Sequence, residues 1–353
     1  MKIEDIDKNL KVKKEIDRND VKYFDVKNDG FSLFGLPATD EKLFRRMPES
    51  VAKKVNPGVE RLCSNTSGGR VIFETDSPFV AIRAFMPSVC RFSHMPLTGT
   101  TGFDVFTDEG EGFFYTGTFC PPVDMEDGFE SIAEFYGEKK QRKIMIHFPL
   151  YNDVSNLFIG IQEGSYYKPY NPYKDVPPIY YYGSSITQGG CASRPGNNYP
   201  AVISRKNNID FVCLGFSGNA FGEPEMAEYI ANREMSVFVM DLDHNFSDVK
   251  MIRERHYPFY KIIREKNPDL PIIMVTAPAP ACSYWRFKER YEVIHENYKR
   301  ARAEGDDNLY FINGMRMMDG EYCDMITVDG CHPNDFGFYC MARGVLEVLN
   351  KII

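Results

Sequence analysis

From Pro178 onward the chain alternates short apolar runs with helix-like segments, and few folds accept that rhythm. The runs are PIYYYG, DFVCLGF, SVFVMDLD, PIIMVTAP and NLYFING. Between and after them lie YPAVISRKN, EPEMAEYIANR, MIRERHYPFYKIIREKN, WRFKERYEVIHENYKRARAEG and DFGFYCMARGVLEVLNKII. Five strands that each lead into a helix predict a parallel sheet covered on both faces, with right-handed crossovers. Ligands of such sheets bind beyond the carboxyl ends of the strands. The chemistry is therefore expected in the strand-to-helix turns.

The first half has a different rhythm. RVIFETDSPFVAIRAFM, GFDVFTD, GFFYTGTF, KIMIHFPL and LFIGIQEG are short period-2 runs broken by Gly, Pro, Asn and Asp, which predicts an antiparallel sandwich or jelly roll. The following stretch SYYKPYNPYKDVPP discourages both helix and central strand through its repeated proline. The boundary is placed there, with residues 1–174 as an N-terminal β-sandwich domain and 175–353 as a C-terminal α/β domain. Repeated proline also stiffens the connection, which favours a fixed docking of the halves.

Bulk properties exclude several roles. A net charge of −8 and a pI near 5.4 argue against nucleic acid, whose binding needs clustered Lys and Arg. No apolar run approaches roughly 18 residues, so no membrane partner is expected. The opening MKIEDIDKNLKVKKEIDRND has no apolar core of a secretory signal, and the expected location is cytoplasmic. The nine cysteines show no CxxC spacing and read as reduced thiols, not as a disulfide framework or zinc ribbon. Oligomeric state is not legible.

Three segments that follow strands and one in the loop before the last helix carry candidate chemistry. They are Gly183-Ser184-Ser185, Phe216-Ser217-Gly218-Asn219, Asp241-Leu242-Asp243-His244-Asn245 and Val328-Asp329-Gly330-Cys331-His332. Cleaving an ester through an acyl-enzyme needs a nucleophile, a base, a group that orients the base, and donors for the oxyanion. Ser185, at a turn into a helix, is the candidate nucleophile. A bland reading also exists, because serine is favoured as a helix cap. His332 is the candidate base, and Asp329, three residues earlier on one turn, would fix its tautomer. The backbone N–H groups of Ser185 and Gly218 and the side-chain amide of Asn245 are the candidate oxyanion donors. Asp241 and Asp243 read as structural, and no metal or organic cofactor is expected.

These blocks resemble those of the SGNH, or GDSL-type, serine hydrolases. GSSITQG matches the first block, LGFSGNA the second, DLDHN the third and VDGCHPND the Asp-x-x-His block, in the family's order. Ser184 stands where the family usually has aspartate, and little catalytic loss is expected, since none of the four roles needs that carboxylate. The resemblance implies a flavodoxin-like three-layer α/β/α domain with a five-stranded parallel sheet. GRVIFETDSPFVAIRA and the Gly-x-Asp element at Gly102–Phe106 resemble the β-sandwich that precedes some members of the family. Two-domain members are similar to carbohydrate O-acetylesterases, which implies acetylated xylo- or manno-oligosaccharides as the substrate partner.

Two further residues are candidate substrate contacts. Trp285 is expected in a loop after the fourth strand, where its flat face could stack on a sugar, and His244 adjoins Asn245. The rival functions are a short-chain lipase or acyl-thioesterase, and a carbohydrate-binding protein with an inactive hydrolase domain. An α/β-hydrolase is rejected, because Thr187 stands where Gly-x-Ser-x-Gly requires its second glycine.

Overall fold

The computed structural model describes residues 6–8, 11–137, 139–279 and 284–353. In the first half the alternating runs form β1 (Val21–Asp25), β2 (Ser32–Phe34), β3 (Arg70–Thr75), β4 (Phe79–Phe85), β5 (Phe103–Asp108), β6 (Phe114–Phe119), β7 (Gly128–Glu134), β8 (Arg142–His147), β9 (Asn156–Gln162) and β10 (Tyr167–Pro169). They pair antiparallel in two sheets, β1-β9-β4-β7 and β10-β3-β8-β5-β6, with β2 also lying on β3. Alternate side chains of both sheets, among them Val71, Phe73, Val80, Ile82, Ile144 and Ile146, turn into one shared core. That is the period-2 pattern made physical.

Three helices interrupt this sandwich: α1 (Glu49–Val55), α2 (Pro57–Leu62) and α3 (Leu97–Thr100). Asn56 starts α2 by accepting from Val59 N at 2.8 Å, ahead of Pro57 in the first turn.

The second half runs β11 (Ile179–Gly183), α4 (Ser185–Gln188), α5 (Tyr199–Asn207), β12 (Phe211–Gly215), α6 (Pro224–Ala231), β13 (Val237–Asp241), α7 (Val249–Lys266), β14 (Ile272–Val275), α8 (Tyr284–Ala303), β15 (Leu309–Ile312), α9 (Gly314–Met317) and α10 (Asp335–Leu349). The strands are parallel in the order β12-β11-β13-β14-β15, the flavodoxin-like order with its switch point beside β11. Ile179 and Tyr181 bury on the face shared with α5 and α10, and Tyr180 and Tyr182 on the face shared with α6 and α7. The sheet is therefore the middle of three layers. Among the described residues no helix is long and apolar enough to cross a membrane.

The two halves share a core. Ala52, Val55, Val59 and Leu62 of α1 and α2 bury in the same cluster as Tyr182, Leu214 and Met240, so an upstream helix pair covers part of the parallel sheet. Fully buried Arg46 donates through Nη1 to the carbonyls of Cys213 (3.0 Å) and Gly215 (2.6 Å) at the end of β12. Ser67 Oγ donates to Gln188 O at 2.6 Å. Arg70 pairs with Asp210 and donates to Tyr173 Oη. The Arg46 and Ser67 contacts hold the carboxyl end of β12 and the turn after β11 against the sandwich, and the Arg70 pair holds the amino end of β12.

Candidate active site

At Gly183 the chain leaves β11 in a turn that no larger residue would permit. An added Cβ would lie 2.2 Å from Thr187 Oγ1 and 2.4 Å from Asp241 O. Ser184 then takes the capping role: its backbone is extended and its Oγ accepts from Ile186 N at 3.2 Å. Ser185 is left as the first helical residue, only 7% exposed, with Oγ 2.9 Å from His332 Nε2. The cap and the hydroxyl facing the histidine are thus separate serines. Aspartate would cap here as serine does, which gives a physical reason why Ser184 is tolerated.

His332 sits on a loop closed by the Thr327–Pro333 bridge and by Val328 N donating to His332 O at 2.9 Å. The Asp329 carboxylate holds both the loop and the ring. One oxygen accepts from His332 N (2.7 Å) and Cys331 N (3.0 Å), and the other accepts from His332 Nδ1 at 2.7 Å. Partial burial pushes the Asp329 carboxyl up, but the donors from His332 and Cys331 outweigh it and hold it down at about 2. Asp329 therefore stays ionised throughout ordinary working pH, and Nδ1 keeps its proton. That leaves Nε2 as the acceptor facing Ser185.

Two of the proposed oxyanion donors follow the strands that flank β11. Gly218, beyond β12, adopts φ +69° with open space where a side chain would stand; a larger residue would strain the backbone there. Asn245, beyond β13, accepts from Ala220 N through Oδ1 at 3.1 Å, an interaction that fixes which end of its amide faces away. Gln188 steadies the same region by accepting from Ser217 N at 3.0 Å while donating to Asn65 Oδ1 and Leu150 O.

Beneath the turn lies Asp241. Its Oδ2 accepts from Thr187 Oγ1 (2.8 Å) and Tyr199 Oη (3.0 Å), and its buried Oδ1 has no partner among the described residues. Burial pushes this carboxyl up to about 6; the two hydroxyls pull it down and Asp243 adds to the rise. Because the folded value lies above the unfolded one, the contribution to stability is present below about pH 4 and lost as pH rises through about 6. Asp241→Asn cannot ionise. Its stability relative to wild type is expected to climb by about 2–3 kcal/mol between pH 4 and 7, measured by urea unfolding across that range. A pH-independent difference would exclude an elevated Asp241 carboxyl.

His244 lies beside these groups. Burial, with Arg290 and His332 nearby, lowers its ring to about 4 despite Asp243. Its Nε2 has no partner among the described residues, and its ring meets Phe287 edge-on at 5.4 Å. Two expectations overlap at Trp285, the loop after the fourth strand and the helix-like run that begins with it, and the structure bears out the second. Trp285 belongs to the first turn of α8 and not to a loop, and it is 75% exposed. It lines a surface groove with Asp248, Val249, Lys250 and Lys288 whose walls include neither Ser185 nor His332. The helix continues further toward the strand end than the prolines of APAPAC suggested; residues 280–283 of that stretch lie outside the described residues.

Several neighbours of the site come from the sandwich and had no sequence signal. Tyr151 Oη donates to Ser185 O at 3.1 Å, and Phe92 packs edge-on against Tyr151 at 5.6 Å. The His94 ring centroid lies 5.4 Å from that of His332. All three lie on irregular segments between strands, where periodicity is silent.

Residues 177–350 match the GDSL-like lipase/acylhydrolase family, and residues 21–166 match the N-terminal domain of SGNH-hydrolase-type esterases. Among curated proteins none matches. A protein from Bacteroides ovatus ATCC 8483 described as a GDSL-like lipase is 29% identical, covering 94% of this chain and 98% of its own, with a TM-score of 0.85. The salicylyl-acyltransferase SsfX3 from a tetracycline biosynthetic pathway is 18% identical, with 95% and 98% covered and a TM-score of 0.76. A family two carbohydrate esterase from Clostridium thermocellum, in complex with cellohexaose, is 16% identical, with 81% and 93% covered and a TM-score of 0.57. The last two establish a shared fold.

Proposed function

Because this chain belongs to the GDSL-like lipase/acylhydrolase family, we propose that it is a serine esterase removing O-acetyl groups from carbohydrates, with acetylated xylo- or manno-oligosaccharides as substrates. The observation that carries the reading is the hydrogen-bonded relay Ser185 Oγ, His332 Nε2, His332 Nδ1, Asp329 Oδ2. In this reading residues 175–353 carry the chemistry and residues 1–174 form the accompanying sandwich. His332 Nε2 takes the hydroxyl proton as Ser185 Oγ attacks the acetyl carbonyl. The oxyanion is held by the N–H groups of Ser185 and Gly218 and by the Asn245 amide. His332 then gives that proton to the departing sugar oxygen, which leaves as a hydroxyl, and finally activates the water that releases acetate. His332 acts as the base of the first step with Asp329 ionised beside it.

The carbohydrate esterase in complex with cellohexaose supports a sugar substrate by fold. The eight described cysteines are all free thiols, which supports a reducing, cytoplasmic setting and hence oligosaccharides over intact polymer. Incubation with acetylated xylo- and manno-oligosaccharides, followed by mass spectrometry, is expected to show stepwise loss of acetyl groups from at least one series. No loss from either would refute the plant-glycan substrate. The Bacteroides ovatus relative, described as a lipase, favours a second reading, a short-chain lipase. Rates on p-nitrophenyl esters separate the two: acetate is expected to be the best substrate, and a preference for octanoate would reverse the assignment.

A further inference from the structure

His94, Cys191 and His332 bring their nitrogen and sulfur donor atoms within 4.8 Å of one another. The three residues come from separate parts of the chain: the sandwich loop between β4 and α3, the segment just after α4, and the loop before α10. We propose that they form a binding site for a borderline-soft divalent cation, zinc in the first instance, and that occupation of this site switches the esterase off.

The donor chemistry supports the assignment. Two imidazoles and a thiolate with a fourth position open to water make a familiar N/S set for zinc. In a tetrahedral site with metal–nitrogen bonds of about 2.0 Å and a metal–sulfur bond of about 2.3 Å, two nitrogens and a sulfur lie roughly 3.3–3.5 Å apart. The donor atoms therefore need to approach by at most about 1.5 Å to close around an ion. His94 is the member able to move, since it is solvent-accessible on a loop while Cys191 is buried.

Cys191 is already aimed at that loop, with its thiol donating to His94 O at 3.4 Å. It is also one of only two non-glycine residues with positive φ among the described residues, at +73°. The backbone thus directs this side chain in a way that extended or helical geometry would not.

His332 arrives preoriented as well. Asp329 occupies Nδ1 at 2.7 Å, so the ring can offer a metal only Nε2. A carboxylate bound to the far nitrogen of a metal-ligating histidine is the usual outer support of such ligands. Here the same carboxylate serves two purposes. Nε2 is also the atom that faces Ser185 Oγ, so a lone pair given to the metal is withdrawn from proton transfer. Binding is balanced by loss of the Cys191 thiol proton to solvent, with no change of oxidation state.

The inhibitory consequence rests on the esterase reading, but the site itself does not. Cobalt(II), an absorbing substitute for zinc, is titrated into chelator-treated, reduced full-length protein. One equivalent is expected to produce a thiolate-to-cobalt charge-transfer band that is lost in Cys191→Ser and weakened in His94→Gln. No band, or a band unchanged in Cys191→Ser, overturns the proposal. In parallel, p-nitrophenyl acetate hydrolysis is followed with zinc, each variant compared with its own metal-free rate. Zinc is expected to inhibit wild type reversibly on EDTA addition. Both variants should need more than about tenfold more zinc, the loss that removing even an outer partner of a ligand typically causes. Equal zinc sensitivity in all three proteins places the metal elsewhere and overturns the proposal. A cobalt band with no esterase activity in any protein would instead overturn the esterase reading and leave the site standing.

Discussion

Replacing Ser185 with alanine is expected to reduce kcat on acetyl esters by about 10⁶-fold, because the members of such a relay fail as a unit. The fold should tolerate the change. Ser184, not Ser185, caps α4, so the loss removes one oxygen from a position where its partner is the His332 ring. His332→Ala should cost about as much, and the double variant little more than either alone. Asp329→Asn is expected to lose about 10⁴-fold by presenting the wrong tautomer. It also withdraws a carboxylate that His332 N and Cys331 N use to shape the loop, so it is the variant whose melting should be checked. Retention of more than a tenth of wild-type turnover by Ser185→Ala, with circular dichroism unchanged, would rule out Ser185 as the nucleophile.

The second large effect is expected far from the relay. Asp104, wholly buried on β5, accepts from His147 Nδ1 at 3.0 Å, Arg194 Nη1 at 3.0 Å and Gly196 N at 2.9 Å. Arg205 lies over Phe106 beside it, with Nη1 3.5 Å from His147 Nε2. Alanine at this position leaves the His147 ring, the Arg194 guanidinium and the Gly196 backbone N–H facing a hole. Removing one partner of a buried charge network costs about 3–5 kcal/mol. Urea unfolding of Asp104→Ala should show a loss of that size.

Activity is expected to fall too, because the network continues toward His332. The segment that Asp104 pins carries Ser193 and Asn197, and both donate to Asp335. Asp335 opens α10 three residues after His332. Loosening of this chain should lower kcat at temperatures where the variant remains folded. A variant with full stability would show that Asp104 carries no structural charge pair. A destabilised variant with wild-type kcat would show that the sandwich does not help to position His332.

The second half of the chain was readable from sequence for a simple reason. A buried parallel strand is a short apolar run, and a doubly covered sheet forces strand and helix to alternate, so the strands β11 to β15 and the longer helices α5, α6, α7, α8 and α10 announce themselves locally. The four blocks were legible because the fold sends its strand ends to one edge, and each block contains its own turn. Asp329 and His332 needed only three residues of separation to find each other. The loop placement of Trp285 failed, while the helix-like run that begins with it held, because a helix start is a local competition. The prolines before it argued for a loop, while the charged, regularly spaced residues that follow extend the helix back over Trp285.

What the sequence alone determined is the chemistry on offer: a serine, a histidine, an aspartate and their donors, in an order that one sheet topology can assemble. Only the tertiary structure decided which groups surround them. Tyr151, His94 and Asn65 lie on irregular segments of the sandwich, and α1 and α2 cover a sheet whose strands come much later in the chain. No local period encodes those approaches. They follow from the docking of two halves through Arg46, Arg70, Ser67 and Asp104, whose buried polar groups find partners in the other half, and those partners meet only in the assembled molecule.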